Sequence, residues 1–172
     1  MIQVRVCSFV RKAMICGLVG SVVAVVAVGH PRAAEVLDLQ GRGVQIYTCT
    51  GVDGGFSWKL KAPEATLLTS QGHAAGRHFA GPSWQAADGS VVVGEVIASG
   101  NAPDIAGVDH AIPWLILRAK SHTGSGMFGA VSYVTRSRTV GGLAPSGGCD
   151  AARAGLEARV PYSASYSFFG VK

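Results

Sequence analysis

The sequence predicts an all-β fold, a single-domain antiparallel β-sandwich or small β-barrel with one short helical turn. From Gly43 onward, runs rich in β-branched and aromatic residues recur about every ten residues, with Gly, Asp, Asn and Pro between them. Several of these runs alternate between apolar and polar residues, as strands with one solvent-facing side do. The chain also contains 24 glycines, which suit a protein with many tight turns.

The predicted strands follow one another along the chain. They are Val44–Thr50, Phe56–Leu60, Ala65–Ser70, "RHFAG" and "SWQAA" on either side of Pro82, Ser90–Ser99, Pro113–Lys120, Phe128–Arg138 and Ser163–Phe169. Near the C-terminus, Tyr162, Tyr166 and Phe168 share one face of a strand, opposite a row of serines. The run "PWLILRA" is apolar throughout, which predicts a central strand buried on both faces.

The connections have recognisable turn chemistry. "DGG" at 53–55 and "DG" at 88–89 predict hairpin turns, because glycine readily adopts a positive φ. Pro82 lacks an amide hydrogen, so "HFAGPSW" is predicted to be a bend or a sheet edge. The helical turn is predicted within "CDAARAGLEA", with Asp150 as its N-cap and Gly155 at its end.

The N-terminus has the pattern of an export signal. Three basic residues precede an uncharged apolar run over residues 13–28, which is shorter than the roughly 20 residues that a membrane-spanning helix needs. Small residues follow this run, and they place the predicted cleavage site between positions 29 and 34. We therefore expect residues 1–34 to be a signal peptide, residues 35–172 to form one β domain, and the protein to be periplasmic or secreted. An uncleaved membrane anchor is the alternative.

The charge of the mature chain argues against nucleic acid as a partner. The whole sequence carries 15 basic and 10 acidic residues, a net charge of +5, but four of the basic residues precede Glu35. The mature chain therefore keeps 11 basic and 10 acidic residues, without the basic excess that nucleic-acid-binding domains show. Stable membrane insertion is not expected either, because most predicted strands are shorter than the about nine to eleven residues of a membrane-spanning strand.

Two cysteines, Cys49 and Cys149, remain once the leader is removed. In an exported chain, two distant cysteines predict a single structural disulfide, and two buried free thiols are the alternative. A bridge closing a loop of about a hundred residues stabilises a fold by about 4–5 kcal/mol in the chain-entropy model.

No motif identifies a cofactor or metal. "GSGMFG" at 124–129 matches the glycine pattern of dinucleotide-binding loops, but an alternating β-branched run follows it where a helix is required, so we predict a hairpin loop. His73 and His78 are five residues apart and so point to opposite faces of a strand. Zinc and copper sites need three or four converging ligands, so neither a metal nor a cofactor is expected.

The stretch "GRHFAGPSWQAADGS" provides the candidate site. Its polar and aromatic side chains, Arg77, His78, Trp84 and Asp88, form a candidate binding rim. With this rim, the domain is interpreted as a non-catalytic binding module for a surface, glycan, peptide or small ligand, since aromatics on a β scaffold commonly bind sugars and peptides. The alternative is a hydrolase or metal-dependent enzyme that uses His78 with Asp88 or Ser83, although the G-x-S-x-G pentapeptide is missing.

Six stretches occur in an order that resembles a known family. They are "GRGVQIYTC", "WKLKAPEATLL", "GRHFAGPSWQAADGSVVVGEV", "AIPWLILRAKSHTGSGMFGAVSYVTR", "TVGGLAPSGGCDAA" and "RVPYSASYSFF", spanning residues 41–169. Together they resemble the exported family called domain of unknown function 3455. The resemblance implies a secreted or periplasmic domain with both cysteines inside family motifs, and it implies no activity. Ser165 and Phe169 depart from the acidic residue and the tyrosine that the family pattern favours.

Overall fold

A computed structural model describes residues 36–101 and 110–170 of the chain. These residues belong to one compact unit, Arg32–Lys172. The predicted signal peptide and its cleavage site lie outside the described residues.

In the described part of the chain, eight antiparallel strands form a closed barrel in which each strand pairs with the next and the last pairs with the first. The strands are β1 Val36–Val52, β2 Gly55–Leu68, β3 Ala74–Phe79, β4 Ser83–Ala86, β5 Val91–Gly100, β6 Trp114–Thr123, β7 Val131–Gly141 and β8 Glu157–Gly170. The predicted fold class is therefore confirmed, in its barrel form.

The core fills the inside of the barrel. The largest side chains with less than 2% exposure are Trp84, Tyr166, Phe128, Phe168, Leu39, Leu67 and Leu117. Phe128 stacks on Phe168 at 4.5 Å between ring centroids, and Trp84 meets Tyr166 edge-on. An eight-stranded barrel has an interior just wide enough for side chains to fill. The predicted alternation of β8, with its aromatics on one face, is confirmed as the inward row of this core.

The turns agree with their sequence chemistry. Gly54 and Gly89 have φ values of 85°, and the bend at Pro82 separates β3 from β4. A 3₁₀ turn at Ala151–Arg153 follows Asp150, whose side chain accepts a hydrogen bond from the Arg153 amide. These turn predictions are confirmed.

The predicted disulfide is present. The sulfur atoms of Cys49 and Cys149 are bonded, and their Cα atoms lie 5.4 Å apart. The bridge ties β1 to the connection between β7 and β8. A second contact ties the same connection to β2, because the indole Nε1 of Trp58 donates to the Gly147 carbonyl at 2.8 Å. We call this end of the barrel the disulfide end.

Three strand predictions were wrong. β2 is a single strand where the sequence predicted two. It can continue through Pro63 because β3 pairs with β2 only from Ala65 onward, and Pro63 therefore lies on a sheet edge. "PWLILRA" is buried on one face only, since Leu117 is 1% exposed but Ile116 is 45% exposed. Several strands are longer than predicted, reaching 17 residues in β1, whereas β3 and β4 have only 6 and 4 residues.

Residues 36–101 and 110–170 contain no helix that is long and apolar enough to span a bilayer.

Candidate functional site

Two of the predicted rim residues lie in the core. His78 on β3 and Trp84 on β4 are directly opposite in the strand register, and both face the inside of the barrel. Their rings stack with 4.7 Å between centroids and 7° between planes. His78 is 2% exposed and Trp84 is 1% exposed, so neither offers a surface to a ligand outside the barrel.

The imidazole of His78 is held by a backbone group. Nδ1 lies 2.8 Å from the carbonyl oxygen of Ser83, and since a carbonyl only accepts, Nδ1 carries the proton and donates it. Burial lowers the pKa of His78 to about 4, an effect that the Ser83 bond opposes and the nearby Arg136 charge reinforces. The contact is to the carbonyl of Ser83 and not to its hydroxyl, which gives no support to a His–Ser catalytic pair.

Arg77 lies on the outer face of β3, away from His78. Its Nε donates to the Gln85 side chain at 2.8 Å, and its guanidinium lies 5.0 Å from the centre of the Phe79 ring. Arg77 therefore does not share a rim with the two buried rings.

Asp88 has a structural environment. Its Oδ1 accepts hydrogen bonds from the amide and hydroxyl of Ser90, and its Oδ2 accepts one from the Met127 amide at 2.7 Å. These three hydrogen bonds lower the pKa of Asp88, and the bond from the Met127 amide has the largest effect. The carboxylate thus fastens the β4–β5 turn to the loop between β6 and β7. Of the four predicted residues, His78 and Trp84 are in contact, whereas Arg77 and Asp88 lie apart from that pair, and residues 36–101 and 110–170 contain no hydrogen bond between His78 and Asp88.

The described ranges contain no group of three or more His, Cys, Asp or Glu side chains placed to hold a metal ion.

A different cavity opens where β6 and β7 separate. These strands pair only between Leu115–Arg118 and Tyr133–Arg136, while β7 continues along β8 to Gly141. A bulge between Ser137 and Val140 bends β7, and Arg138 there has a φ of 48°. The resulting cavity, which we call the β6–β7 cleft, has a volume of about 370 Å³. It is lined by Ala98, Ser99, Gly100, Trp114, Leu115, Ile116, Thr135, Arg136 and Ser137.

Arg136 is a charged residue in the lining of this cleft. It lies in register with Leu115 and Tyr166, on the inward row of β7 that also contains Val134. Its Nε and Nη2 both donate to the Pro113 carbonyl, at 3.0 and 2.8 Å. Among the residues that the structure describes, no carboxylate forms an ion pair with Arg136. The half-buried guanidinium of Arg136 is therefore stabilised by the dipole of the Pro113 carbonyl and not by a negatively charged side chain.

Three tyrosines surround this charge. The Tyr47 hydroxyl donates to the Gly142 carbonyl at 2.6 Å, and the hydroxyls of Tyr162 and Tyr166 lie 3.2 Å apart. Burial raises the pKa of all three phenols, and the positive charge of Arg136 opposes that rise. The tyrosines therefore remain neutral and cannot balance the guanidinium.

Arg136 was not among the site residues predicted from the sequence. One signal was present in "VSYVTRSR", where Arg136 follows Val134 by two residues and so takes an inward position in an alternating strand. A charged residue in an apolar row marks a site worth examining.

Comparison with known proteins gives the family. A family described as "Protein of unknown function (DUF3455)" matches residues 31–170. Curated proteins and solved structures gave no significant match. The matched region includes all eight strands and both bonded cysteines. The resemblance carried by the six sequence motifs is thereby confirmed, and the chain belongs to the DUF3455 family.

Proposed function

We propose that the protein is an exported, non-catalytic binding module that holds a small ligand with an apolar body and an acidic group in the β6–β7 cleft. The observation that carries this proposal is an apolar cleft with Arg136 among its lining residues and no carboxylate paired to Arg136 among residues 36–101 and 110–170. A cavity of about 370 Å³ lies in the size range of small-molecule sites.

The lining of the cleft supports this class of ligand. Trp114, Leu115 and Ile116 offer apolar surface to the body of the ligand. Arg136 donates from Nε and Nη2 to the Pro113 carbonyl and also has a side-chain hydrogen bond with Tyr166, and its remaining guanidinium hydrogens are available to an acid. Hydrogen bonds between a guanidinium and a carboxylate are stronger than those between neutral groups.

Two observations support the rest of the proposal. The disulfide is a bond typical of proteins in oxidising compartments, which fits export. The buried position of His78 and the fully bonded carboxylate of Asp88 favour binding over catalysis, because both groups are committed to the scaffold.

The proposal is tested by titrating purified protein with octanoate and with octanamide while tryptophan fluorescence is followed. We expect octanoate to bind about tenfold or more tightly than octanamide, the advantage of a charged hydrogen bond over a neutral one. Arg136→Gln removes this advantage, Arg136→Lys keeps part of it, and Trp114→Phe removes the fluorescence response.

Arg118→Gln is the matched control, since Arg118 lies on the outer face of β6 and pairs with Glu95. It should leave octanoate binding unchanged. Equal affinity for the acid and the amide, or equal affinity of wild type and a folded Arg136→Gln variant, would contradict the proposal.

A further inference from the structure

A second cavity lies on the outer face of the barrel, across β1, β2, β3 and the start of β8. It is a groove of about 350 Å³, and we call it the arginine groove. The side chains that matter in it are Arg42, Glu64, Thr66, Arg77, Phe79 and Arg159. It shares no lining residue with the β6–β7 cleft, so it is a separate site.

The strand register places the charges. Arg42 on β1 is opposite Thr66 on β2, which is opposite Arg77 on β3, so these three side chains form a row across the outer face. Two strand spacings separate the backbones at the ends of this row, a distance of about 10 Å. Arg159 enters from β8, where its Nη2 lies 2.8 Å from Oε1 of Glu64. Three guanidiniums and one carboxylate give the groove an excess of two positive charges.

The guanidiniums retain hydrogen-bond donors for a ligand. Arg77 is oriented by two contacts: its Nε donates to the Gln85 side chain, and one face of its guanidinium lies over the Phe79 ring. Both of its Nη groups are therefore free of protein acceptors in the described residues. Arg159 uses only Nη2. Arg42 makes no hydrogen bond or ion pair with any residue that the structure describes. All three arginines are exposed, so a ligand can reach them.

Uncharged and acidic groups lie between these arginines. Glu64 has a second carboxylate oxygen that can accept a hydroxyl hydrogen, and Thr66 carries a hydroxyl that can donate or accept. Phe79 and Val44 add an apolar strip. Closely spaced phosphates would meet repulsion from Glu64, whereas a ligand with hydroxyls between its acidic groups would not.

We propose that the arginine groove binds an acidic polysaccharide, with carboxylates of the chain on Arg42 and Arg77 and sugar hydroxyls on Glu64 and Thr66. The planar guanidinium matches a carboxylate with two parallel hydrogen bonds, and this favours sugar acids over neutral sugars. The presence of Glu64 between the arginines favours a chain with hydroxyls between its acidic groups over the surface of an anionic membrane.

The experiment is a calorimetric titration of purified protein with a hexamer of galacturonic acid and with the fully methyl-esterified hexamer. The acid form should bind, rising NaCl should weaken it, and the ester should bind about tenfold or more weakly because the charges are gone. The double variant Arg42→Gln/Arg77→Gln should lower the affinity for the acid hexamer by about tenfold or more.

The matched control is Arg118→Gln/Arg153→Gln, which removes two positive charges elsewhere on the surface. It should keep the wild-type affinity, as should Arg136→Gln, whose residue belongs to the other site. The proposal is overturned if the hexamer does not bind, if the ester binds equally, or if both double variants lose affinity alike. Binding to phosphatidylglycerol vesicles without binding to the hexamer would also overturn it and would indicate a membrane surface instead.

Discussion

At the scale of a residue, His78 shows how burial removes a reactive group from use. Its ring is enclosed by Trp84 at 4.7 Å and by Tyr166 at 5.1 Å between centroids. Water is excluded, so the charged imidazolium is penalised and the pKa falls to about 4. An imidazole so placed stays neutral at physiological pH and helps to fill the barrel.

The depressed pKa predicts a dependence of stability on pH. Between pH 6.5, the ordinary value, and about 4, His78 binds a proton in the unfolded chain but not in the folded one. The free energy of unfolding should therefore fall as the pH is lowered through this window, with His78 contributing about 3 kcal/mol. The contribution is fully present above pH 6.5 and lost once the pH reaches the folded pKa.

Urea unfolding at a series of pH values measures this effect. His78→Gln should show a shallower loss of stability than wild type between pH 6.5 and 4. His73→Gln, in the exposed turn between β2 and β3, should follow the wild-type curve. A His78→Gln curve parallel to wild type would show that the burial of His78 is not linked to protonation.

At the scale of an element, the loop between β6 and β7 depends on a residue far away in sequence. Asp88 accepts a hydrogen bond from the Met127 amide, and Ser90 accepts one from the Phe128 amide through its hydroxyl. These two bonds hold the loop so that Phe128 enters the barrel, where it is 0% exposed. A Cβ at Gly126 would lie 2.2 Å from the Asp88 carboxylate, so glycine allows this close approach.

Removal of the Asp88 carboxylate should loosen this loop. Asp88→Ala leaves the Met127 and Ser90 amides without their acceptor, so we expect a lower Tm and faster amide exchange over residues 124–130. Asp53→Ala, in the turn between β1 and β2, is the control and should leave both quantities unchanged. Unaltered exchange in the Asp88→Ala loop would refute this role.

The sequence predicted those strands and turns whose pattern lies within a few neighbouring residues. It did not predict contacts between residues that are far apart in the chain. The inward row of β8 and the turn at residues 88–89 follow from alternation and glycine chemistry within a few residues. The bond from Asp88 to Met127 joins positions 39 residues apart, and nothing near either residue indicates it. The inward direction of the His78 side chain likewise depends on how β3 pairs with its neighbours. A shift of one residue in that register would turn His78 to the outer face.

At the scale of the molecule, closure of the barrel depends on the pairing of β1 with β8, and the disulfide lies beside that seam. Cys49 is in β1, and Cys149 precedes β8 in the connection from β7. The sequence suggested the bridge because only two cysteines lie beyond the predicted leader. It could not distinguish a barrel from a sandwich, because that distinction rests on the pairing of the first strand with the last.

Removal of the bridge should destabilise the whole fold. The bonded residues are 100 positions apart, so the unfolded chain gains loop freedom when the bond is lost. We expect Cys49→Ser/Cys149→Ser to lower the free energy of unfolding by about 4–5 kcal/mol in the chain-entropy model. Denaturant unfolding measures the loss, and dithiothreitol should produce it in wild type but not in the double variant. Equal stability of the two proteins would show that the bridge contributes nothing to the fold.

Sheet closure also affects how the protein behaves at high concentration. A strand with a neighbour on each side has no free row of amides and carbonyls onto which another molecule could add. Several stretches lack a second neighbour, including the ends of β6 and β7 where these strands separate, and one of them, β2 ahead of Ala65, carries Lys59, Lys61 and Pro63. Lysine and proline are residues that discourage strand addition at an edge. Pairing around the ring, together with the lysines and the proline on this edge of β2, should therefore oppose the assembly of crowded copies into fibrils.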